Sequence, residues 1–183
     1  GDATGFQGST PPDNRGDADY TPTGPHTLAF SGIKDEAHTF NVTVKADNVL
    51  ELDEEFNAIL SNIQAQGRNV QLGTGAATCL IVNDDAAELT IVDVTMEEGD
   101  YDANDPQSTP TTDFNFTVTL SQDVDSLIAL NIDTEDGNAS SSGTPNDTQD
   151  YLDFDQTYTF NGAKDETWEF TVTVYRDRND EDA

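Results

Sequence analysis

Leu28-Ala29-Phe30-Ser31-Gly32-Ile33-Lys34-Asp35-Glu36 returns, almost position for position, as Tyr158-Thr159-Phe160-Asn161-Gly162-Ala163-Lys164-Asp165-Glu166. The match continues downstream, where Phe40-Asn41-Val42-Thr43-Val44 aligns with Phe170-Thr171-Val172-Thr173-Val174, Asp47 with Asp177 and Glu51 with Glu181. Upstream, Asp19-Tyr20 aligns with Asp150-Tyr151. The ungapped part has one constant offset of 130 residues, Leu28 to Tyr158. A self-match at fixed spacing marks repeated architecture. The chain therefore holds two copies of one unit, with residues 1–85 assigned to the first and 86–183 to the second.

Apolar residues within both copies alternate, which is the period of a half-buried strand. Phe40, Val42 and Val44 share a face, as do Phe114, Phe116, Val118 and Leu120, and Trp168, Phe170, Val172 and Val174. Phe56, Ala58 and Leu60 keep the same period where Glu and Ala content could suggest a helix. Turn formers such as Ser31-Gly32 and Asn161-Gly162 separate the runs. The expected class is all-β, as two tandem immunoglobulin-like antiparallel β-sandwiches. Each is expected to be incomplete: the first copy lacks its opening strands, and the second stops where the first continues into Glu54-Glu55-Phe56-Asn57-Ala58-Ile59-Leu60. Missing edge strands expose apolar face and unpaired backbone. Neighbouring chain is expected to supply them, either from the same polypeptide or from an adjacent copy by strand addition.

Composition narrows the function classes. Seven Lys plus Arg stand against 37 Asp plus Glu, a formal net charge of -30. Such a chain repels nucleic acid and anionic membrane, and it needs cations or salt to stay folded. At 34% hydrophobic residues, in patterned runs, it is not a disordered acidic tail. Cys79 is the sole cysteine, so no internal disulfide forms, and the alternation of Ala77-Thr78-Cys79-Leu80-Ile81-Val82 places it in a core. No run of about 18 apolar residues spans a membrane.

The chain resembles the Calx-β family, the sandwich repeat of sodium–calcium exchangers, integrin β4 and many large bacterial surface proteins. The resemblance rests on Gly16-Asp17-Ala18-Asp19-Tyr20-Thr21-Pro22, Leu28-Ala29-Phe30, Gly32, Asp47 through Glu51-Leu52-Asp53-Glu54-Glu55-Phe56, Leu60-Ser61 and Ile81-Val82-Asn83-Asp84-Asp85. In the second copy it rests on Glu135-Asp136-Gly137-Asn138-Ala139 and Asp150-Tyr151. In calcium-binding members the ions sit at one end of the sandwich on loop carboxylates. Carried over, the resemblance implies calcium on Asp47, Glu51, Glu54, Asp84 and Asp85 in the first copy. In the second it implies Glu97 or Glu98, Asp136, Asp177 and Glu181. Calcium takes about 6–8 oxygen ligands from flexible loops, so converging carboxylates suit it. The chain departs from strong binders in three places. Ala46 and Asn48 flank Asp47, Asn83 replaces an acid in the closing run, and Arg176 and Arg178 flank Asp177.

Other signals point to structure. Arg15-Gly16-Asp17 overlaps the start of a strand, and Asp100-Tyr101-Asp102-Ala103-Asn104-Asp105 has Asp105 where a helix-loop-helix calcium loop needs Gly. Ser140 to Pro145 reads as a flexible loop. Glycosylation-type triplets begin at Asn41, Asn115, Asn138 and Asn146. His26 and His38 stand near strand starts with no Ser or Cys in a nucleophile setting, so no enzyme is expected. The expectation is a non-catalytic structural or adhesive repeat module of an extracellular or cell-surface array or filament, stiffened by calcium at its poles and at the junction Asp84 to Glu88. Its partners would be neighbouring copies or domains of the same protein. A calcium-sensing pair from a transporter-like protein, or an accessory ligand-binding domain of a secreted enzyme, are the alternatives.

Overall fold

The computed structural model describes residues 19–105, 107–145 and 147–176. Of the sequence features above, Arg15 to Ala18, Asn146, Asp177, Arg178 and Glu181 lie outside the described residues. The chain divides into two compact units, Gly1–Ala86 and Ala87–Ala183. Among the described residues there is no helix, so none is long and apolar enough to cross a membrane. The first unit carries β1 (Tyr20–Thr21), β2 (Thr43–Val44), β3 (Val49–Leu50), β4 (Glu54–Ile59) and β5 (Ala76–Ile81). The second carries β6 (Leu89–Ile91), β7 (Thr111–Leu120), β8 (Asp123–Val124), β9 (Ile128–Asp133), β10 (Asp155–Phe160) and β11 (Thr167–Tyr175).

In the second unit the expected alternation becomes two facing layers. β7 is the centre of one sheet, in the order β11-β7-β6, and all pairings are antiparallel. Phe170 stands opposite Phe116, Val172 opposite Phe114 and Trp168 opposite Val118, so the apolar residues of both strands share a face. β9 and β10 form the other layer. Rings join the layers: Tyr158 stacks on Trp168 with centroids 4.6 Å apart, and Phe154 stacks on Phe170 at 4.9 Å. Phe160 and Leu120 are fully enclosed. This is the β-sandwich expected from the period of two.

The recurring stretch itself forms the same turn in both units. Gly162 and Asp165 take positive φ (84° and 59°), as do Gly32 and Asp35 (85° and 62°). The carboxylate that closes the turn then accepts the backbone N–H groups freed by the bend. Glu166 takes those of Asn161 (2.8 Å), Gly162 (3.1 Å) and Ala163 (3.3 Å), and Glu36 takes those of Ser31 (2.8 Å) and Gly32 (3.1 Å). A concave row of amides is an anion site built from backbone. The Ser31 amide, with the His38 ring, holds the Glu36 carboxyl at about 2, far below its usual range. In the second unit the turn also docks on the end of β7, through Leu120 N–H to Glu166 C=O and Asp165 N–H to Leu120 C=O, both 2.9 Å.

The first unit departs from the expected strand pattern. Phe40, Val42 and Val44 alternate, yet only Thr43–Val44 is laddered, against Tyr20–Thr21. The counterpart, β11, runs for nine residues because β7 lies along it. Among the described residues of the first unit, no long strand lies along residues 37–45 as β7 lies along β11. The consequence for packing is direct. Every buried apolar residue among those described belongs to the second unit, and Cys79, expected in a core, is only half-buried.

Phe160 and its counterpart Phe30 separate these environments, being 0% and 60% exposed. Phe160→Ala should cost the second unit about 3–5 kcal/mol. Phe30→Ala should leave that transition unmoved to within about 0.5 kcal/mol. Urea unfolding followed by the fluorescence of Trp168, the sole tryptophan, checks both.

Candidate metal centre

The acidic pole of the first unit is assembled by one neutral residue. The Asn83 amide oxygen accepts the Glu51 N–H at 3.2 Å, and its NH2 donates to the Asp85 carbonyl at 3.0 Å. The Asn83 backbone N–H donates to an Asp53 carboxylate oxygen, also at 3.0 Å. These bonds tie the segment between β3 and β4 to the run that leaves β5. Asp47 folds its own loop, accepting the Val49 N–H at 3.0 Å.

Together these bends enclose a cleft of about 170 Å³ that Asp19, Asp47, Glu51, Glu54, Asp84 and Asp85 all line, with Lys45 beside them. All five residues expected from the sequence as the first copy's ligands therefore reach one cavity. Asp19 was not among them. It begins the Asp-Tyr pair repeated at Asp150-Tyr151, and that recurrence was the one signal pointing to it.

Glu54 is the most perturbed group of the pole. Its carboxyl is raised to about 7, first by burial, then by a shared hydrogen bond with Asp19 and by the charges of Asp19 and Glu51. Its Oε2 is shut off from water and has no hydrogen-bond partner. An orphaned buried oxygen among like charges is costly unless a proton or a cation satisfies it. Oxygen donors of this type and number suit a hard divalent cation such as calcium. Among the described residues no three Asp, Glu, His or Cys side chains are drawn tightly enough to form a shell around a metal ion.

The second unit's expected ligands are placed differently. One Asp136 oxygen accepts the Tyr151 hydroxyl at 2.6 Å and the Ser141 N–H at 2.8 Å. The Tyr151 bond foremost keeps that carboxyl below its usual range. Glu97 is exposed. The Glu98 backbone carbonyl accepts the Thr112 hydroxyl, and the same Thr112 oxygen accepts Arg176 Nε–H. The Arg176 side chain lies against Gly99, whose φ of +83° turns the chain there. A guanidinium thus stands beside the Glu98–Gly99 segment, in keeping with the sequence departure noted at Arg176. His26 stacks on Phe40, and His38 packs on Phe30 while bonding Glu36.

A family model described as the Calx-beta domain matches residues 13–85 and again 91–183. No curated protein and no solved structure gives a match. Calx-beta domains are non-enzymatic β-sandwiches with calcium-related roles, and they occur in extracellular regions of membrane proteins.

The raised Glu54 carboxyl sets a pH dependence in chelator. Between about 4.5 and about 7 the folded unit holds a proton that the unfolded chain has released. Its contribution therefore falls as pH rises through that window and is flat above it. Glu54→Gln keeps the shape without the charge. The Tm of the variant should move above that of the parent as pH goes from 5 to 8, by a few degrees, in calorimetric scans of both chains.

Proposed function

Because this chain belongs to the Calx-beta domain family, we propose that it is a non-catalytic structural module of an extracellular or cell-surface array, with calcium held at the acidic pole of its first unit. The observation that carries this reading is the unpartnered Glu54 oxygen in a cleft where five further carboxylates converge. Asp19, Glu51 and Glu54 would hold the ion from the inner side, with Asp47, Asp84 and Asp85 from the loops. Bound calcium supplies the positive charge that this pole lacks. Glu54 gives up its shared proton as the cleft takes the cation, so affinity rises with pH through about 7. Asp84 and Asp85 are the last acids before the second unit, and holding them restrains the end of the first.

The mechanical role follows from the same charge balance. A chain at -30 resists compaction, and a cation at the pole offsets that repulsion where six carboxylates share one cleft. The second unit is the weaker site in this reading. Asp136 is engaged with Tyr151 and Ser141, and Arg176 supplies positive charge near Glu98.

Melting in millimolar calcium and in chelator tests the assignment. Binding at about 100 times Kd should add about 2.7 kcal/mol, a shift of several degrees. Replacing Asp84 and Asp85 together by Ala should remove most of that shift and leave the chelator Tm nearly unchanged. An equal loss with and without calcium would sink the calcium role and leave the acids as agents of solubility.

A further inference from the structure

Residue 46 of the first unit and residue 176 of the second hold the same place in the repeat. Val44 pairs with Tyr20 as Val174 pairs with Tyr151. The next residue makes the same bond in each unit, Lys45 N–H to Asp19 C=O at 2.8 Å and Tyr175 N–H to Asp150 C=O at 2.7 Å. One step further on, the copies part: Ala46 stands in the first and Arg176 in the second. One side chain is a methyl group, and the other is a planar cation that never loses its charge in a protein.

Ala46 lines the acidic cleft together with all six carboxylates of that pole. A methyl group offers them neither charge nor a proton, and the Glu54 Oε2 there is shut off from water without a partner. Arg176 is held at several points. Its backbone N–H donates to the Pro110 carbonyl at 3.0 Å, and its Nε–H donates to the Thr112 hydroxyl oxygen at 2.5 Å. Thr112 is buried, and its own hydroxyl donates to the Glu98 carbonyl. The guanidinium lies against Gly99, where a Cβ would stand 3.4 Å from Nε and 3.6 Å from Cζ. Glycine at that bend therefore leaves room for the cation as well as for its φ of +83°. The segment that carries Glu97 and Glu98 thus runs past a positive charge supplied by the chain itself.

We infer that this one repeat position decides whether a unit carries its own cation or draws one from solution. Arg176 is the resident cation of the second unit, and Ala46 leaves the first dependent on a metal ion. The inference rests on the calcium reading of the first pole. A tethered guanidinium is present at every calcium concentration, whereas a bound ion is present only by mass action. An arginine at residue 46 would start from the cleft wall with five N–H donors suited to carboxylates, and its charge would repel a divalent ion. The chain then joins one calcium-responsive unit to one that is indifferent to calcium.

Ala46→Arg and Ala46→Gln, both long and polar but different in charge, test the first unit by calorimetric melting and calcium titration of the full chain. In chelator, Ala46→Arg should melt a few degrees above both Ala46→Gln and the wild type. Its calcium Kd should be weakened at least about tenfold, by like-charge repulsion. For the second unit, the transition followed by Trp168 fluorescence should not move with calcium in the wild type. Arg176→Gln should lower that transition in chelator by a few degrees, and Arg176→Lys, which keeps the charge, should lower it less. The inference is overturned by an Ala46→Arg chain that melts no higher than Ala46→Gln in chelator or that keeps the wild-type calcium affinity. It is overturned too by a wild-type Trp168 transition that rises with calcium, or by Arg176→Lys losing as much as Arg176→Gln, which would make Arg176 a packing residue. A wild type with no calcium shift at all sinks the calcium reading instead, and the chelator comparison of Arg with Gln at residue 46 still decides this one.

Discussion

The stacking of Tyr158 on Trp168 and of Phe154 on Phe170 ties the β9–β10 layer to the β7–β11 sheet, and the order of the second unit follows from that cover. A sheet with one apolar face is stable only when a second layer removes that face from water. Phe160 and Leu120 are enclosed because both layers are present around them. Where no long neighbour strand is present among the described residues, strands of the same pattern are short. Residues 37–45 carry nearly the sequence of β11, yet they hold a two-residue ladder where β11 holds nine residues. Local preference is shared by the copies, and the neighbour strand is what differs.

The most alike segment of the two copies serves backbone geometry. Gly32 and Gly162 supply φ values that other residues adopt at a steric penalty, and Asp35 and Asp165 tolerate the left-handed region. Glu36 and Glu166 then satisfy amides that no strand can reach. The turn persists in the first unit, where its Ile33 is largely exposed, and in the second, where it docks on β7. Its stability is thus internal to the six residues. That explains how the first unit, with no buried apolar side chain among its described residues, still presents the same chain reversal.

The acidic pole shows how charge and packing meet. Asn83, which the sequence comparison marks as a departure from an acidic run, is the residue that draws the run and the β3–β4 segment together. An Asp there would place a carboxylate oxygen where the Asn83 amide now also donates, adding repulsion and losing a bond. The neutral residue organises the acids around it. Glu54 bears the remaining strain, since its position on the inner face of β4 buries a carboxyl next to Asp19. In the second unit the Tyr151 hydroxyl engages Asp136, and Arg176 bonds Thr112 and lies beside Gly99.

The alternation of apolar residues, the turn chemistry and the 130-residue recurrence were enough to establish an all-β chain of two repeated sandwich units, because those features depend on neighbours in sequence. The resemblance to the Calx-β family carried Asp47, Glu51, Glu54, Asp84 and Asp85 over as candidate ligands, and these five residues line one cleft. It could not show that Asp19 joins them, that Glu54 has a buried orphan oxygen, or that Asp136 is claimed by a tyrosine. Nor could it distinguish Phe30 from Phe160, one exposed and one enclosed. Those outcomes depend on which strands lie across from each residue. Cross-strand contact is a property of the folded sheet, and only the tertiary structure decides it.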